Sequence, residues 1–273
     1  MVGVITIQRL TTEELRATQL AILKSVEQFC VQHNIAFYLY AGTLLGAVRH
    51  RGYIPWDDDI DIVMPRPDYD RFCSIASTPT SLGGYSVYSS ATLAGFPLPF
   101  TKVADDRTLL REPTEIEISI GVNIDVFPLD GWPDSWARAI THRVTVRFLR
   151  ALAFSHHLPT GSQRKSTKDL LLLMAKPVVR LVPLERVIGH LSRCASRYSP
   201  ESSKSVAVVV WGHLALVSAE AFRGSLDMQF EDRSHPVPRG YNEVLKAMYG
   251  DYMRPPPNDA QKSPHTFEAY RLP

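Results

Sequence analysis

The sequence has few cysteines, and their spacing excludes two kinds of crosslinked fold. Cys30, Cys73 and Cys194 are odd in number, lie far apart and form no CxxC pair. This pattern argues against a disulfide framework and against a structural zinc site, and it is typical of proteins in a reducing cytoplasm. A chain of 273 residues buries enough apolar surface to hold a core without either crosslink.

Long apolar runs and a strong net charge are also absent. The longest apolar segment, residues 170–184, is broken by Lys176, Pro177 and Arg180, so we do not expect it to span a bilayer. The amino-terminal residues have no basic n-region and no adequate apolar h-region, which predicts no signal peptide. A net charge of +2 gives no reason to expect a nucleic-acid partner. Together these features predict a cytoplasmic protein.

Acidic residues are almost missing from one stretch of the chain. Between Ser135 and Leu184 the sequence has nine Lys or Arg and one acid, Asp169. This asymmetry predicts an anionic partner for the basic stretch.

A helix predicted over 135–154 carries both charge and apolar residues from this stretch. Arg143, Arg147 and Arg150 share one face, and an apolar set shares another: Trp136, Ile140, Val144, Phe148 and Leu152. A basic face beside an apolar face predicts peripheral contact with the inner face of an anionic membrane, or with an anionic lipid-linked acceptor. The alternative is a helix that packs on the rest of the protein through its apolar stripe.

Hydrophobic periodicity predicts an α/β region through about residue 131, followed by a mostly helical portion. A carboxy-terminal hairpin and helix are expected to return to the first region. The predicted helices are 12–33, 43–50, 67–77, 135–154, 167–181, 184–198 and 242–250. The predicted strands are 35–42, 58–64, 85–90, 99–105, 121–127 and 206–211.

The most informative segment is a run of acids before an apolar strand. Asp57, Asp59 and Asp61 alternate with Asp58 and Ile60, so in a strand the three carboxylates share one face. Carboxylates that converge on a buried strand repel one another unless a cation lies among them, and oxygen ligands favour Mg²⁺ or Mn²⁺ over zinc. The alternative is a solvated acidic loop.

Gly42 and Thr43 end the preceding strand and begin a helix. Such a start presents free N–H groups and a positive dipole end, so it predicts a cradle for a phosphate, with Thr43 able to cap the first turn. Arg49, near the end of that helix, is a candidate to neutralise phosphate oxygens. It is as readily read as a surface arginine that binds the last helical carbonyls.

Asp125 is the predicted additional acid, because it lies in a strand-like run flanked by apolar residues. The alternative is that it caps a turn near Pro128. Asp130 reads as a turn residue. Trp56 is expected to cover the core, with stacking on a base as the alternative.

Three blocks of sequence resemble the LicD/fukutin-type family of phosphotransferases. They are GTLLGAVRHRGYIPWDDDIDIVMPRPDYDRF from Gly42, IDVFPLDG from Ile124, and HPVPRGYNEVLKAMYGDYMRPPP from His235. The resemblance implies an α/β (α+β) fold with a nucleotidyltransferase-like mixed sheet core at 1–131. Residues 132–205 would then be a basic helical portion on the acceptor or membrane side, and 206–273 a carboxy-terminal part that returns to the core.

The resemblance also implies a reaction. Family members transfer phosphocholine or a polyol phosphate from a CDP-linked donor, such as CDP-choline, to a glycan and release CMP. Lipopolysaccharide or teichoic acid modification would be the setting, with a glycan or lipid-linked glycan as acceptor. Lys102 resembles a family lysine near the phosphates; it could instead be an exposed strand lysine.

Carried onto this chain, the resemblance makes Asp57, Asp59, Asp61 and Asp125 the metal ligands. Asp59, Asp61 and Asp125 would also be catalytic, and Gly42, Thr43, Arg49 and Lys102 would bind the donor. Two other functions remain open at this point. One is a nucleotidyltransferase that moves a nucleoside monophosphate from a nucleoside triphosphate, and the other is a non-catalytic module that binds a glycan or a membrane.

Overall fold

The computed structural model describes residues 8–76, 82–90, 92–111, 119–157, 182–257, 259, 261 and 268–273. The helices are α1 (Thr12–His33), α2 (Ala41–His50), α3 (Arg66–Ile75), α4 (Trp136–His157), α5 (Leu184–Ala195), α6 (Tyr241–Tyr249) and a short 3₁₀ helix (Ala219–Phe222). The strands are β1 (Gln8–Arg9), β2 (Tyr38–Leu39), β3 (Asp61–Pro65), β4 (Ser86–Tyr88), β5 (Thr101–Arg111), β6 (Ile120–Trp132), β7 (Ser205–Ala207), β8 (Val217–Ser218), β9 (Ser225–Phe230), β10 (Arg233–Pro238) and β11 (Glu268–Arg271).

The main sheet runs in the order β1-β11-β5-β6-β3-β2, with β4 on β5 and with β7 and β8 reached through β6. β3 and β6 pair in parallel, and the other paired strands of the described sheet are antiparallel. This mixed sheet with helices around it confirms the α/β class predicted from the sequence. β6 lies between β5 and β3, so it brings three segments distant in sequence into register.

α1 shows how the sequence sets one of the helices that cover this sheet. The Thr11 hydroxyl accepts from the N–H of Glu14, and the Glu14 carboxylate accepts from the N–H of Thr11, which forms the predicted capping box. The apolar positions that recur at helical spacing, Leu15, Ile22, Val26 and Phe29, are buried. The helix ends at Asn34 in the left-handed conformation.

The strand predicted over 58–64 is shorter than expected, because it begins only at Asp61. The preceding backbone is held by side chains of α1 in place of a strand partner. The Arg16 guanidinium donates to the Asp57 carbonyl at 2.7 Å, and the Gln19 amide donates to the Asp58 carbonyl at 2.9 Å. Asp57 and Asp59 therefore lie before the strand, and the predicted alternation of side chains between the two faces of the sheet does not include them. The strand predicted at 206–211 is likewise only Ser205–Ala207.

The helical portion contains α4 and α5, which pack against each other. α4 extends three residues past the predicted end at 154, whereas α5 stops three residues before the predicted end at 198. The helix predicted at 167–181 lies outside the described residues. The division of the chain at residues 131 and 205 stays a prediction.

The end of the chain contacts α2 and the strands beside it. The Tyr38 hydroxyl donates to the Phe222 carbonyl at 3.0 Å, and the Tyr53 N–H donates to the Glu231 carboxylate at 2.9 Å. α6 packs against α2. These contacts bring the carboxy-terminal segment next to the helix that carries Gly42, Thr43 and Arg49.

Candidate active site

Three neighbouring strands place an acid, a second acid and a lysine in one row across the sheet. Asp61 of β3 is in register with Asp125 of β6, and Asp125 is in register with Lys102 of β5. Side chains in register on adjacent strands point to the same face of a sheet. The fold therefore brings together three residues that the sequence separates by up to 64 positions.

Lys102 is buried in this row, so the alternative of an exposed strand lysine is wrong. Its ammonium group donates to Asp125 Oδ1 at 2.6 Å and to Asn123 Oδ1 at 3.0 Å. Sequence reasoning missed Asn123, although it lies two residues before Asp125 and so shares its face in a strand. The lysine orients Asp125 and brings a positive charge to the centre of the site.

The carboxylates are close enough to change one another's protonation. Burial raises the pKa of Asp61 well above its ordinary value, and the charges of Asp59, Asp125 and Asp57 raise it further. Lys102 opposes the increase. The charges of Asp57, Asp59 and Asp125 thus reach Asp61, and we call these four residues the acid cluster. Whether they bind a metal stays a prediction.

The carboxylate oxygens of the cluster are suitable ligands for a hard cation, but their present positions do not surround one. Carboxylate oxygens that repel one another in a buried site are the ligands Mg²⁺ and Mn²⁺ use. Within the described ranges, however, no three His, Cys, Asp or Glu side chains converge in an arrangement that could already hold a metal ion. A bound cation would need carboxylate rotamers that differ from those in this structure.

Gly42 is needed here for the space that it leaves for the Asp57 side chain. Its own backbone conformation does not require a glycine. A Cβ atom at position 42 would lie 2.5 Å from Oδ2 of Asp57, so a side chain there would displace the carboxylate. The left-handed residue of this turn is Ala41, with φ of 46°, and α2 begins there, one residue before Gly42. The Asp57 carboxylate therefore lies beside the first turn of α2, where the helix dipole favours a negative charge.

Thr43 has a different role from the predicted one in capping. The N-cap of α2 is Tyr40, with no side-chain capping bond, and Thr43 lies within the first helical turn. Its buried hydroxyl accepts the backbone N–H of Asp61 at 2.8 Å. Thr43 thus joins α2 to the first residue of β3 and holds Asp61 in place.

The Arg49 side chain is hydrogen-bonded to the carboxy-terminal segment. Its guanidinium donates to the Tyr252 carbonyl at 2.9 Å and to His50 Nε2 at 2.9 Å, and burial lowers its pKa. It also lies 6.0 Å from the centre of the Trp56 ring. Trp56 is partly buried against the main core, in agreement with the predicted core role.

Tyr249, the last residue of α6, is a site neighbour that sequence reasoning missed. Burial raises the pKa of its hydroxyl, and the charges of Asp61 and Asp57 raise it further. Tyr40 also borders the cluster, since its N–H donates to the Asp61 carbonyl at 2.9 Å. The available signal for Tyr249 was its place in the third sequence block, because a tyrosine near a helix end carries no chemical signature of its own.

Asp130 is not a turn residue, which corrects the prediction. It lies in β6, is fully buried and accepts from Arg66 Nε at 2.6 Å and from Arg66 Nη2 at 2.8 Å. Arg66 begins α3 directly after β3. This two-bond pair therefore fixes the junction of β3 and α3 to β6, beyond the acid cluster.

Comparison with known proteins agrees with the family resemblance seen in the sequence. Residues 34–96 match the model described as the LicD/FKTN/FKRP nucleotidyltransferase domain, a range that includes Gly42, Thr43, Arg49 and the Asp57–Asp61 run. A Haemophilus influenzae protein named lipopolysaccharide cholinephosphotransferase LicD is 29% identical over 290 residues, which cover 97% of this chain and 100% of the relative.

Two uncharacterised Rickettsia proteins show shorter similarities. The one from Rickettsia typhi is 37% identical over 78 residues, which cover 28% of this chain and 25% of that protein. The one from Rickettsia prowazekii is 45% identical over 47 residues, which cover 17% of this chain and 18% of that protein. With a domain match over residues 34–96 and a relative aligned along nearly its whole length, the chain is similar to the LicD/FKTN/FKRP family, in agreement with the resemblance seen in its sequence.

Proposed function

We propose that the protein transfers phosphocholine from a CDP-linked donor to a hydroxyl of lipopolysaccharide or a related cell-surface glycan, and releases CMP. The observation that carries this proposal is the row formed by Asp61, Asp125 and Lys102, flanked by Asp57 and Asp59. Phosphoryl transfer needs positioning and neutralisation of charge, and the row supplies carboxylates and an ammonium group in one place. The relative named as a lipopolysaccharide cholinephosphotransferase supports the choice of head group and acceptor.

The reaction joins the acceptor oxygen to the phosphorus that bears choline. The bond from that phosphorus to the bridging oxygen of CMP breaks, and CMP leaves with the electron pair. The hydroxyl proton passes to a carboxylate of the row, and Asp61, in register with Asp125, is our candidate. Lys102 is positioned to neutralise a non-bridging phosphate oxygen, while its bond to Asp125 holds that carboxylate in the row.

We further propose that Asp57, Asp59, Asp61 and Asp125 hold Mg²⁺ or Mn²⁺. When bound, such an ion would lower the pKa of the acceptor hydroxyl and offset the charge of the donor phosphates. The charges of Asp59, Asp125 and Asp57, which together raise the pKa of Asp61, support this assignment. The oxygen-only donor set makes zinc a poor physiological substitute.

The function is tested with a panel of CDP-alcohols, with and without lipopolysaccharide, by measuring released CMP. We expect CMP release from CDP-choline that requires Mg²⁺ or Mn²⁺ and increases with the acceptor. Full activity in excess chelator would refute the metal. Pyrophosphate released from a nucleoside triphosphate would favour the nucleotidyltransferase alternative instead, and glycan binding with no turnover of any donor would favour the non-catalytic module.

A further inference from the structure

α4 turns a row of large apolar side chains towards the outside of the molecule. We call this set the α4 stripe: Trp136, Ile140, Val144 and Phe148, which are 79%, 45%, 63% and 64% exposed. The spacing of four residues places them along one side of the helix. Isolated exposed apolar residues are normal on a protein surface, whereas four in one row indicate an interaction site.

The helix is held to the protein by its opposite side. His142, Val146 and Ala153 are buried there, and the helix packs against α5. The His142 ring lies 4.9 Å from Trp132 and 5.2 Å from Tyr198, edge to face. The sequence-based alternative, in which the helix packs through the Trp136–Phe148 stripe, is therefore wrong. α4 has two apolar sides, and the one that carries Val146 and Ala153 faces the core.

The charge around the α4 stripe is of one sign. α4 contains four arginines, at positions 138, 143, 147 and 150, and no Asp or Glu. Arg143 and Arg147 are exposed beside the stripe, and Arg143 lies 5.7 Å from the centre of the Trp132 ring. An exposed apolar row bordered by arginines is complementary to a partner that has an apolar interior and a negatively charged surface.

The neighbouring polar residues of α4 satisfy their own hydroxyl groups. Thr141 donates to the Ala137 carbonyl at 3.0 Å, and Thr145 donates to the Thr141 carbonyl at 2.9 Å. Their methyl groups can therefore face an apolar medium while the hydroxyl donors stay bonded. In the part of the chain that the structure describes, no helix is both long enough and apolar enough to cross a membrane.

We propose that α4 lies in the surface of an anionic lipid bilayer, with the α4 stripe in the acyl boundary and Arg143 and Arg147 on the lipid phosphates. The arginines favour a bilayer over a second copy of the chain as the partner. Self-association through the α4 stripe would bring like charges together, whereas an anionic bilayer offers opposite charge along the whole helix. The inference goes beyond the proposed function, because it concerns where the enzyme acts and not which group it transfers.

The experiment is co-sedimentation of the full chain with vesicles. One set contains phosphatidylglycerol and phosphatidylcholine in equal amounts, and the other contains phosphatidylcholine alone. We expect binding to the anionic set that weakens as salt increases, because exposed charges are screened. Trp136→Ser with Phe148→Ser should weaken it by at least about tenfold, since both side chains contribute buried apolar area at the interface. Arg143→Glu with Arg147→Glu should weaken it comparably.

Val31→Ser is the matched control, because Val31 is 77% exposed on α1 and lies outside the stripe. It should bind vesicles as the wild type does. All variants should keep the wild-type melting temperature, since the substituted side chains are exposed. CMP release without vesicles, measured on the same samples, separates this proposal from the proposed function.

Three outcomes would overturn the proposal. They are the absence of binding to anionic vesicles at low salt, binding that the stripe and arginine variants leave unchanged, and a concentration-dependent dimer that the stripe variants dissociate without any vesicle binding. The last of these would assign the α4 stripe to a second copy of the chain. Vesicle binding by a protein that releases no CMP would leave this proposal standing and refute the proposed function.

Discussion

β6 carries two aspartates that differ in their surroundings: Asp130 is fully buried, whereas Asp125 is partly buried. Asp130 accepts two short hydrogen bonds from the Arg66 guanidinium, which also contacts the exposed Asp70 at 3.5 Å. Asp125 shares the Lys102 ammonium with Asn123, and the charges of Asp59, Asp125 and Asp57 all raise the pKa of Asp61. Arg66 and Asp130 form a matched pair of opposite charges, whereas the acid cluster brings like charges together, an arrangement that a bound cation would stabilise. From this contrast we infer a structural role for Asp130 and propose a catalytic role for the acid cluster.

The largest expected effect follows from removing one charge of the acid cluster. Asp61→Asn should reduce CMP release by at least about a thousandfold, because it removes both a metal ligand and the candidate proton acceptor. The melting temperature of the metal-free protein should stay the same or rise, since one repelling charge is lost. Enzyme assays and thermal unfolding of the same preparation check both statements.

Asp58→Asn is the matched control, because it makes the same chemical change three residues away. The Asp58 carbonyl accepts from Gln19 of α1, and an asparagine keeps that backbone contact. We expect this variant to keep near wild-type turnover. Wild-type turnover by Asp61→Asn, or loss of turnover in both variants at unchanged stability, would contradict the assignment of the acids.

The opposite result is expected at the matched pair. Asp130→Asn should lower the free energy of unfolding by about 3–5 kcal/mol, because the buried Arg66 keeps only the exposed Asp70, at 3.5 Å, as a counter-charge. Denaturant unfolding measures the loss. Replacing both partners, with Arg66→Met and Asp130→Leu, should recover most of it, since no charge is then buried. A double variant as unstable as the single one would mean that the pair does more than balance charge.

The pH dependence of stability gives a further test of the acid cluster. The folded-state pKa of Asp61 is raised above its ordinary value, so folding favours the protonated form. In chelator, the stability that Asp61 contributes should therefore be greatest at acid pH and should fall as pH rises from the ordinary aspartate pKa through the raised value. The unfolding temperature of the wild type should drop relative to Asp61→Asn across that window, and equal curves for the two proteins would refute it.

The sequence predicted the fold well where periodicity and capping act locally. The Thr11–Glu14 capping box sets the start of α1, and alternation located the strands that became β5 and β6. The acid run and Asp125 also stood out, because acids in apolar, strand-like sequence are unusual. Lys102 needed the family resemblance, since a lysine in a strand has no pattern that distinguishes a buried one from an exposed one.

What sequence reasoning missed depends on register between distant segments. Asp130 became a buried partner because β6 continues to Trp132 and brings it beside Arg66. Tyr249 reaches the acid cluster only because α6 packs on α2. The sequence also could not predict which side of α4 packs against α5, because the helix has two apolar sides and helical spacing does not distinguish them.

The smallest expected effect tests how the acid cluster is held in place. Thr43→Val keeps the shape of the side chain but removes the hydroxyl that accepts the Asp61 N–H, so a buried N–H loses its partner. We expect a loss of about 1–3 kcal/mol in the free energy of unfolding and about a tenfold loss of turnover, because Asp61 is then less firmly positioned. Thr43→Ser retains the acceptor and should recover most of the turnover, which a cavity effect alone would not allow. If the serine variant were as slow as the valine variant, the bond from Thr43 to Asp61 would not be what positions the carboxylate.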